Sequence, residues 1–153
     1  MSDVLAPVAG RVVALAEVPD EVFAGQLVGA GVAIEPSAPP AGRDRVEVVS
    51  PVAGELVKLH PHAFVVVDAS GTGVLVHVGI DTVKLGGAGF ELAVAEGATV
   101  AAGDLVVTVD PQVVADAGWS LVCPVVVLDS APDSVAQEAV GTSVETGDVL
   151  FAL

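Results

Sequence analysis

Val4-Leu5-Ala6-Pro7-Val8-Ala9-Gly10 returns 44 residues later as Val48-Val49-Ser50-Pro51-Val52-Ala53-Gly54. A second stretch, Gly97-Ala98-Thr99-Val100-Ala101-Ala102-Gly103-Asp104-Leu105, returns at the same offset as Gly141-Thr142-Ser143-Val144-Glu145-Thr146-Gly147-Asp148-Val149. The first pattern reads as a strand, a proline-anchored turn, a glycine and another strand. The second reads as two glycine turns on either side of a buried valine, followed by a strand. Two copies are too few for a solenoid. The expected fold is all-β: an antiparallel β-sandwich, barrel-like, assembled from duplicated β-turn-β units, with one or two short helices.

Composition agrees. Valine supplies 35 of 153 positions, and 17 glycines and 10 prolines punctuate the chain. β-Branched residues with frequent turn formers favour strands over a helical bundle. The length suits a single domain spanning 1–153. Five basic residues against twenty acidic ones leave a net charge of −15, which excludes nucleic acid and anionic membrane surfaces as partners. An acidic surface suits a basic protein partner instead. Mean hydropathy is +0.77, yet no apolar run approaches the roughly 20 residues of a spanning helix, so no membrane insertion is expected. Met1-Ser2-Asp3 lacks a basic leader, and a lone Cys123 makes no internal disulfide. Both point to a cytoplasmic protein.

Strands are expected over Arg11–Leu15, Val32–Glu35, Val46–Val49, Leu56–Leu59, Phe64–Val67, Val74–Ile80, Leu105–Val109, Leu121–Leu128 and Val149–Leu153. Pro111–Gly118 and Pro132–Ala139 have the pattern of two-turn helices. Ser37–Arg45, with its arginine cluster, reads as an exposed loop.

The three histidines are His60, His62 and His77. Apolar runs Phe64–Val67 and Val74–Ile80 flank a turn signal, Asp68-Ala69-Ser70-Gly71-Thr72-Gly73. A four-residue loop, Asp68–Gly71, pairs Val67 with Thr72 and therefore His62 with His77, directly across on one face. A one-residue slip would put the two on opposite faces. Alternation places Val74, Val76, Val78 and Ile80 on a core face. Leu75, His77, Gly79 and Asp81 fall on the other, where the glycine leaves room for a shallow depression. These residues alone leave a metal pair and a nucleophilic pair both open. His60-Pro61-His62 also reads as a zinc H-x-H, which with His77 makes three imidazoles and an open fourth position. No Walker loop and no G-x-S-x-G elbow occurs. Cys123, within a valine-rich strand, reads as a small buried hydrophobe and Trp119 as a packing residue.

Longer motifs decide further. Val18-Pro19-Asp20-Glu21-Val22-Phe23-Ala24, Gly31-Val32-Ala33-Ile34-Glu35-Pro36, His62-Ala63-Phe64, Val76-His77-Val78-Gly79-Ile80-Asp81-Thr82-Val83, Gly89-Phe90 and Cys123-Pro124-Val125-Val126 occur in that order. With them the chain resembles, over nearly its whole length, the glucose-type enzyme IIA component of the bacterial phosphoenolpyruvate-dependent sugar phosphotransferase system. The resemblance implies a β-sandwich of the duplicated hybrid-motif type. It implies a phosphotransferase component that takes a phosphoryl group from the phosphocarrier protein HPr onto a histidine. The group then passes to the cysteine of a IIB domain (IIBC) of a sugar permease. By position His77 is the acceptor, and His62 steadies the phosphoryl oxygens. Asp20, Gly79 and Asp81 lie at the rim, with Phe23, Ile80 and Val83 in an apolar docking patch. Regulatory protein targets are a further class of partner. No cofactor is required; zinc would be adventitious or interfacial, on His62 and His77.

Three features depart from the family's pattern. His60 stands where many members carry threonine, the Ser37–Arg45 loop is long, and the match begins by Val4 without the membrane-seeking extension of some members. The alternative from another class is a zinc metallohydrolase of related β-architecture using His60, His62 and His77. A third, a biotinyl or lipoyl carrier, needs an exposed lysine at a hairpin tip, and neither Lys58 nor Lys84 has that setting.

Overall fold

The structure, a computed structural model, describes residues 3–39 and 44–153. In chain order the strands are β1 (Asp3–Leu5), β2 (Gly10–Ala14), β3 (Gly29–Pro36), β4 (Val46–Val49), β5 (Gly54–His60), β6 (Ala63–Val67) and β7 (Gly73–His77). They continue as β8 (Phe90–Leu92), β9 (Thr99–Val100), β10 (Leu105–Val109), β11 (Cys123–Leu128), β12 (Ser143–Val144) and β13 (Val149–Ala152). Two short α-helices, α1 (Glu21–Ala24) and α2 (Pro111–Asp116), and two 3-10 turns, Leu15–Glu17 and Thr82–Leu85, complete the described elements. An eight-stranded sheet runs β12-β2-β3-β11-β7-β6-β5-β9, beside a three-stranded sheet β4-β10-β8 and the pair β1-β13. The architecture is the expected all-β one.

The 44-residue repeat is a structural duplication, shown by its hydrogen bonds. Leu5 N–H donates to the Pro51 carbonyl at 2.9 Å, and its counterpart Val49 donates to Pro7 at 2.8 Å. Ala6 donates to Asp148 and Ser50 to Asp104; Gly141 donates to Val12 and Gly97 to Leu56. The ladders repeat as well: Val4 pairs with Phe151, and Val48 with Val107, with an irregularity at the equivalent step in each. The repeated glycine has a steric reason. A Cβ on Gly10 would lie 2.0 Å from the Glu35 carbonyl oxygen, and one on Gly54 2.1 Å from that of Val67. Only a residue without a side chain lets the strands cross so closely.

The main core lies between the sheets, with Val12, Ile34, Leu56, Phe64, Val74, Val76, Val106 and Val125 among its buried members. A smaller cluster of Val13, Leu15, Val18, Phe23, Ala33, Ile80, Val122 and Val126 covers the other face of the large sheet.

Several expectations need correction. Pro132–Ala139 is not helical: Asp133 adopts φ +62°, and Gln137 Nε2 bonds the carbonyls of Gly31 and Val135. The single turn of α1 was not foreseen, although its cap is legible in Pro19-Asp20-Glu21: Asp20 Oδ1 accepts from Val22 and Phe23 N–H at 2.9 and 3.3 Å. β8, β9 and β12 span two or three residues each, and pairing rather than propensity makes them strands. Of the Ser37–Arg45 loop, residues 40–43 lie outside the described residues.

The hairpin register is the most instructive correction. β6 and β7 pair Ala63 with His77 and Val67 with Gly73, one residue off the expected register. The Asp68 N–H closes on the Thr72 carbonyl at 2.9 Å, leaving three loop residues, Ala69-Ser70-Gly71, with Gly71 at φ +88°. The Asp68 carboxylate gathers Ser70 N–H, Ser70 Oγ and Thr72 N–H. Those bonds hold its pKa below the ordinary carboxylate value. Three-residue loops ending in a left-handed glycine are a standard hairpin solution, and the odd count shifts the pairing. Alternation also stops at the end of β7. Val74, Val76 and Val78 face the main core, but Ile80 joins the smaller cluster.

Candidate functional site

His77 ends β7, and the backbone beyond it is held at each step. Val78 N–H donates to the His62 carbonyl at 2.6 Å and Ile80 N–H to the Ser120 carbonyl at 2.9 Å. Buried Thr82 donates its hydroxyl to the Val78 carbonyl at 2.7 Å. Between them Gly79, at φ +81°, turns its own carbonyl onto His77 Nδ1. A carbonyl only accepts, so Nδ1 carries the ring proton and Nε2 keeps the lone pair. A Cβ on Gly79 would meet Thr82 Cγ2 at 2.5 Å and the Ser120 oxygen at 2.9 Å.

The expected histidine pair forms despite the register. The His62 and His77 ring centroids lie 5.4 Å apart, edge to face at 63°. His62 sits in the Pro61-His62 turn between β5 and β6, outside strand alternation, so the slip does not turn it away. His60 stacks on His62 at 5.6 Å with an 18° interplanar angle. On the other side, Phe23 from α1 sets its ring edge-on to His77 at 5.2 Å.

Asp20 is half-buried as the cap of α1, and Asp81 is exposed with Lys84 at 3.9 Å. Lys84 also stands over the Trp119 ring. Val83 is 55% exposed, which suits docking, whereas Phe23 and Ile80 are 8% and 3% exposed. Those two are largely buried, Phe23 against the His77 ring. Exposed Val22 and Leu27, on and after α1, carry apolar surface that the sequence reading missed. Alternation has no purchase on a one-turn helix. Cys123 is buried with its thiol pushed up to about 12 by desolvation, so it is an inert packing residue as expected. Among the described residues, no group of three His, Cys, Asp or Glu side chains is placed to hold a metal ion. The three imidazoles lie in a row, and nothing in their geometry favours the zinc alternative.

Burial pushes the pKa of His77 below the ordinary 6.5; the Gly79 carbonyl, Asp20 and Asp81 oppose this without reversing it. His62 is lowered by burial first, then by His77 and His60. The unfolded chain therefore binds more protons as pH falls past 6.5, and the balance moves toward unfolding. This contribution is complete above 6.5 and is lost as pH drops through the lowered folded values. Between about pH 7.5 and pH 5.5, the urea midpoint should fall further in the parent than in a His62→Gln/His77→Gln double variant. Parallel midpoints would contradict it.

Known proteins resemble this chain in sequence and in fold. Residues 2–132 match the family described as the phosphoenolpyruvate-dependent sugar phosphotransferase system, EIIA 1. The chain is 38% identical over 146 residues to the PTS system glucose-specific EIIA component of Bacillus cereus, covering 94% of this chain and 84% of that one. It is 42% identical over 128 residues to the N-acetylglucosamine-specific EIICBA component of Escherichia coli, where the match spans 82% of this chain but 19% of the relative. Among solved structures, glucose permease IIA from Mycoplasma capricolum superposes with a TM-score of 0.85 at 38% identity, covering 98% of this chain and 94% of that one. Motif, fold and homology converge: the chain belongs to the EIIA 1 family of the phosphoenolpyruvate-dependent sugar phosphotransferase system, and is of the glucose type.

Proposed function

We propose that this chain carries phosphoryl groups on Nε2 of His77, receiving them from phospho-HPr and passing them to the IIB domain of a sugar permease. The observation that carries the reading is the Gly79 carbonyl on Nδ1, which leaves Nε2 as the nucleophile in a neutral ring. As the donor's bond to phosphorus breaks, the Nε2 lone pair forms the new P–N bond. Delivery reverses this, with the IIB cysteine sulfur taking phosphorus and the electron pair returning to Nε2. Such in-line transfer needs positioning and charge stabilisation more than covalent machinery, so no cofactor enters. His62, edge-on to His77, supplies an N–H to the phosphoryl oxygens. Burial lowers the pKa of both rings, which favours the neutral form that a nucleophilic imidazole requires.

Partner choice follows from the surface. Val22, Leu27 and Val83 each expose apolar surface, and the −15 charge speeds encounter with a basic donor. The relatives named EIICBA combine an EIIA part with others in one chain, which supports a IIB partner here. Among the described residues no helix is long and apolar enough to cross a membrane, and we place the chain in the cytoplasm beside the permease.

Incubation with phosphoenolpyruvate, enzyme I and HPr should add one acid-labile phosphate by intact mass. No mass gain, with enzyme I and HPr demonstrably active, would overturn the reading.

A further inference from the structure

We propose that His60 is a positioning residue for the transfer: its imidazole, stacked on His62, holds the His62 ring against His77. The inference rests on the reading of His62 as the group that steadies the phosphoryl oxygens. The two inner rings are held in different ways. His77 has a hydrogen bond, from Nδ1 to the Gly79 carbonyl. Among the described residues, none of the hydrogen bonds involves a ring nitrogen of His62; only its backbone carbonyl is engaged, by Val78 N–H.

His62 is therefore a half-buried side chain in a two-residue turn whose ring meets two neighbouring rings and, among the described residues, no hydrogen-bond partner. Its edge meets His77 at 5.4 Å and its face is covered by His60 at 5.6 Å, nearly parallel. His60 is well anchored for this task. It is the last residue of β5, paired across the turn with Ala63, and Ala63 is in turn paired with His77. One continuous ladder thus sets the base of His60 and His77, and the ring between them is clamped. Because His60 is exposed, its side chain does not fill the core. Its stack removes rotamers that the turn would otherwise leave open to His62, so less ordering remains when the phosphoryl group arrives.

Ring and charge are separable by substitution. His60→Phe keeps a stacking ring, His60→Lys supplies a cation without a ring, and His60→Ala offers neither. An aromatic pair of this kind is worth roughly three- to tenfold. His60→Ala should therefore slow phosphorylation by phospho-HPr by about that factor at saturating donor, with KM for HPr unchanged. His60→Phe should stay within about twofold of the parent, and His60→Lys should match His60→Ala. An unimpaired His60→Ala overturns the proposal. So does rescue by His60→Lys with failure of His60→Phe, which would make charge the cause.

A second readout needs no phosphate. The nuclear Overhauser effect between His62 and His77 ring protons should persist in His60→Phe and fade in His60→Ala. If the parent accepts no phosphate, the carrier reading falls, while this measurement still decides whether His60 orders His62. An unchanged effect in His60→Ala would overturn the positioning role.

Discussion

His77→Gln should gain no phosphate under conditions that fully phosphorylate the parent, while His62→Gln should still gain it, at a reduced rate. Glutamine fills similar space to imidazole, but its amide nitrogen has no available lone pair, so no P–N bond forms. At His62 the loss is different in kind. There the ring provides a hydrogen bond to a charged group, worth roughly 1.5–3 kcal/mol, which corresponds to roughly 10- to 100-fold in rate. Glutamine offers an N–H of its own, so the lower end is expected for His62→Gln and the upper end for His62→Ala. Intact mass read over a time course with phosphoenolpyruvate, enzyme I and HPr separates the outcomes. Phosphate retained by His77→Gln would move the acceptor elsewhere. Equal and complete loss in both variants would leave the two histidines with indistinguishable roles.

Gly79→Val should cost stability and phosphate uptake together. The position has φ +81°, and holding a side-chain-bearing residue there costs roughly 1–2 kcal/mol. Overlap comes on top. The new Cβ lands 2.5 Å from Thr82 Cγ2 and 2.9 Å from the Ser120 oxygen, and forcing extra atoms into packed surroundings typically costs about 1–3 kcal/mol. The sum is roughly 2–5 kcal/mol, a large share of the stability of a domain this size. Relief by backbone rotation would move the Gly79 carbonyl off His77 Nδ1 and release the ring. Gly86→Ala is the matched control: it shares a positive φ, +61°, but a Cβ there meets nothing within 4 Å. Its cost should be the backbone term alone, about 1 kcal/mol, with uptake retained. Urea unfolding of both variants checks the ranking, and equal destabilisation would refute the steric account.

The two effects locate the site's design in different places. In the proposed transfer the chemistry rests on one lone pair of His77, whereas the support is spread over the turn from Val78 to Thr82. Three hydrogen bonds within the chain hold that turn: Val78 N–H to the His62 carbonyl, Ile80 N–H to the Ser120 carbonyl and the Thr82 hydroxyl to the Val78 carbonyl. Ser120 carried no signal in the sequence, because it acts through its backbone oxygen, which every residue possesses.

The class of fold and the residues proposed to react were legible in the chain's own pattern. Both are written locally. A 44-residue repeat of turn residues and valine-rich strands leaves few ways to bury its apolar faces, and the run from Val76 to Val83 marks His77 without reference to the rest of the chain. How those groups meet depends on tertiary packing. The β6-β7 register goes with a loop of three residues rather than four, and hydrogen bonds to the Asp68 carboxylate fasten that loop. Spacing predicted the His62–His77 pair, but through the wrong register. It forms because His62 lies in a turn, where side-chain direction follows the local path of the backbone rather than alternation. Phe23 reaches His77 from a single helical turn distant in sequence, and Phe23 and Ile80 lie beneath the surface rather than on it. Burial and ring contacts of this kind arise from packing elements that are far apart along the chain. Local pattern carries no record of them, since the same residues could face either side until the sheet closes.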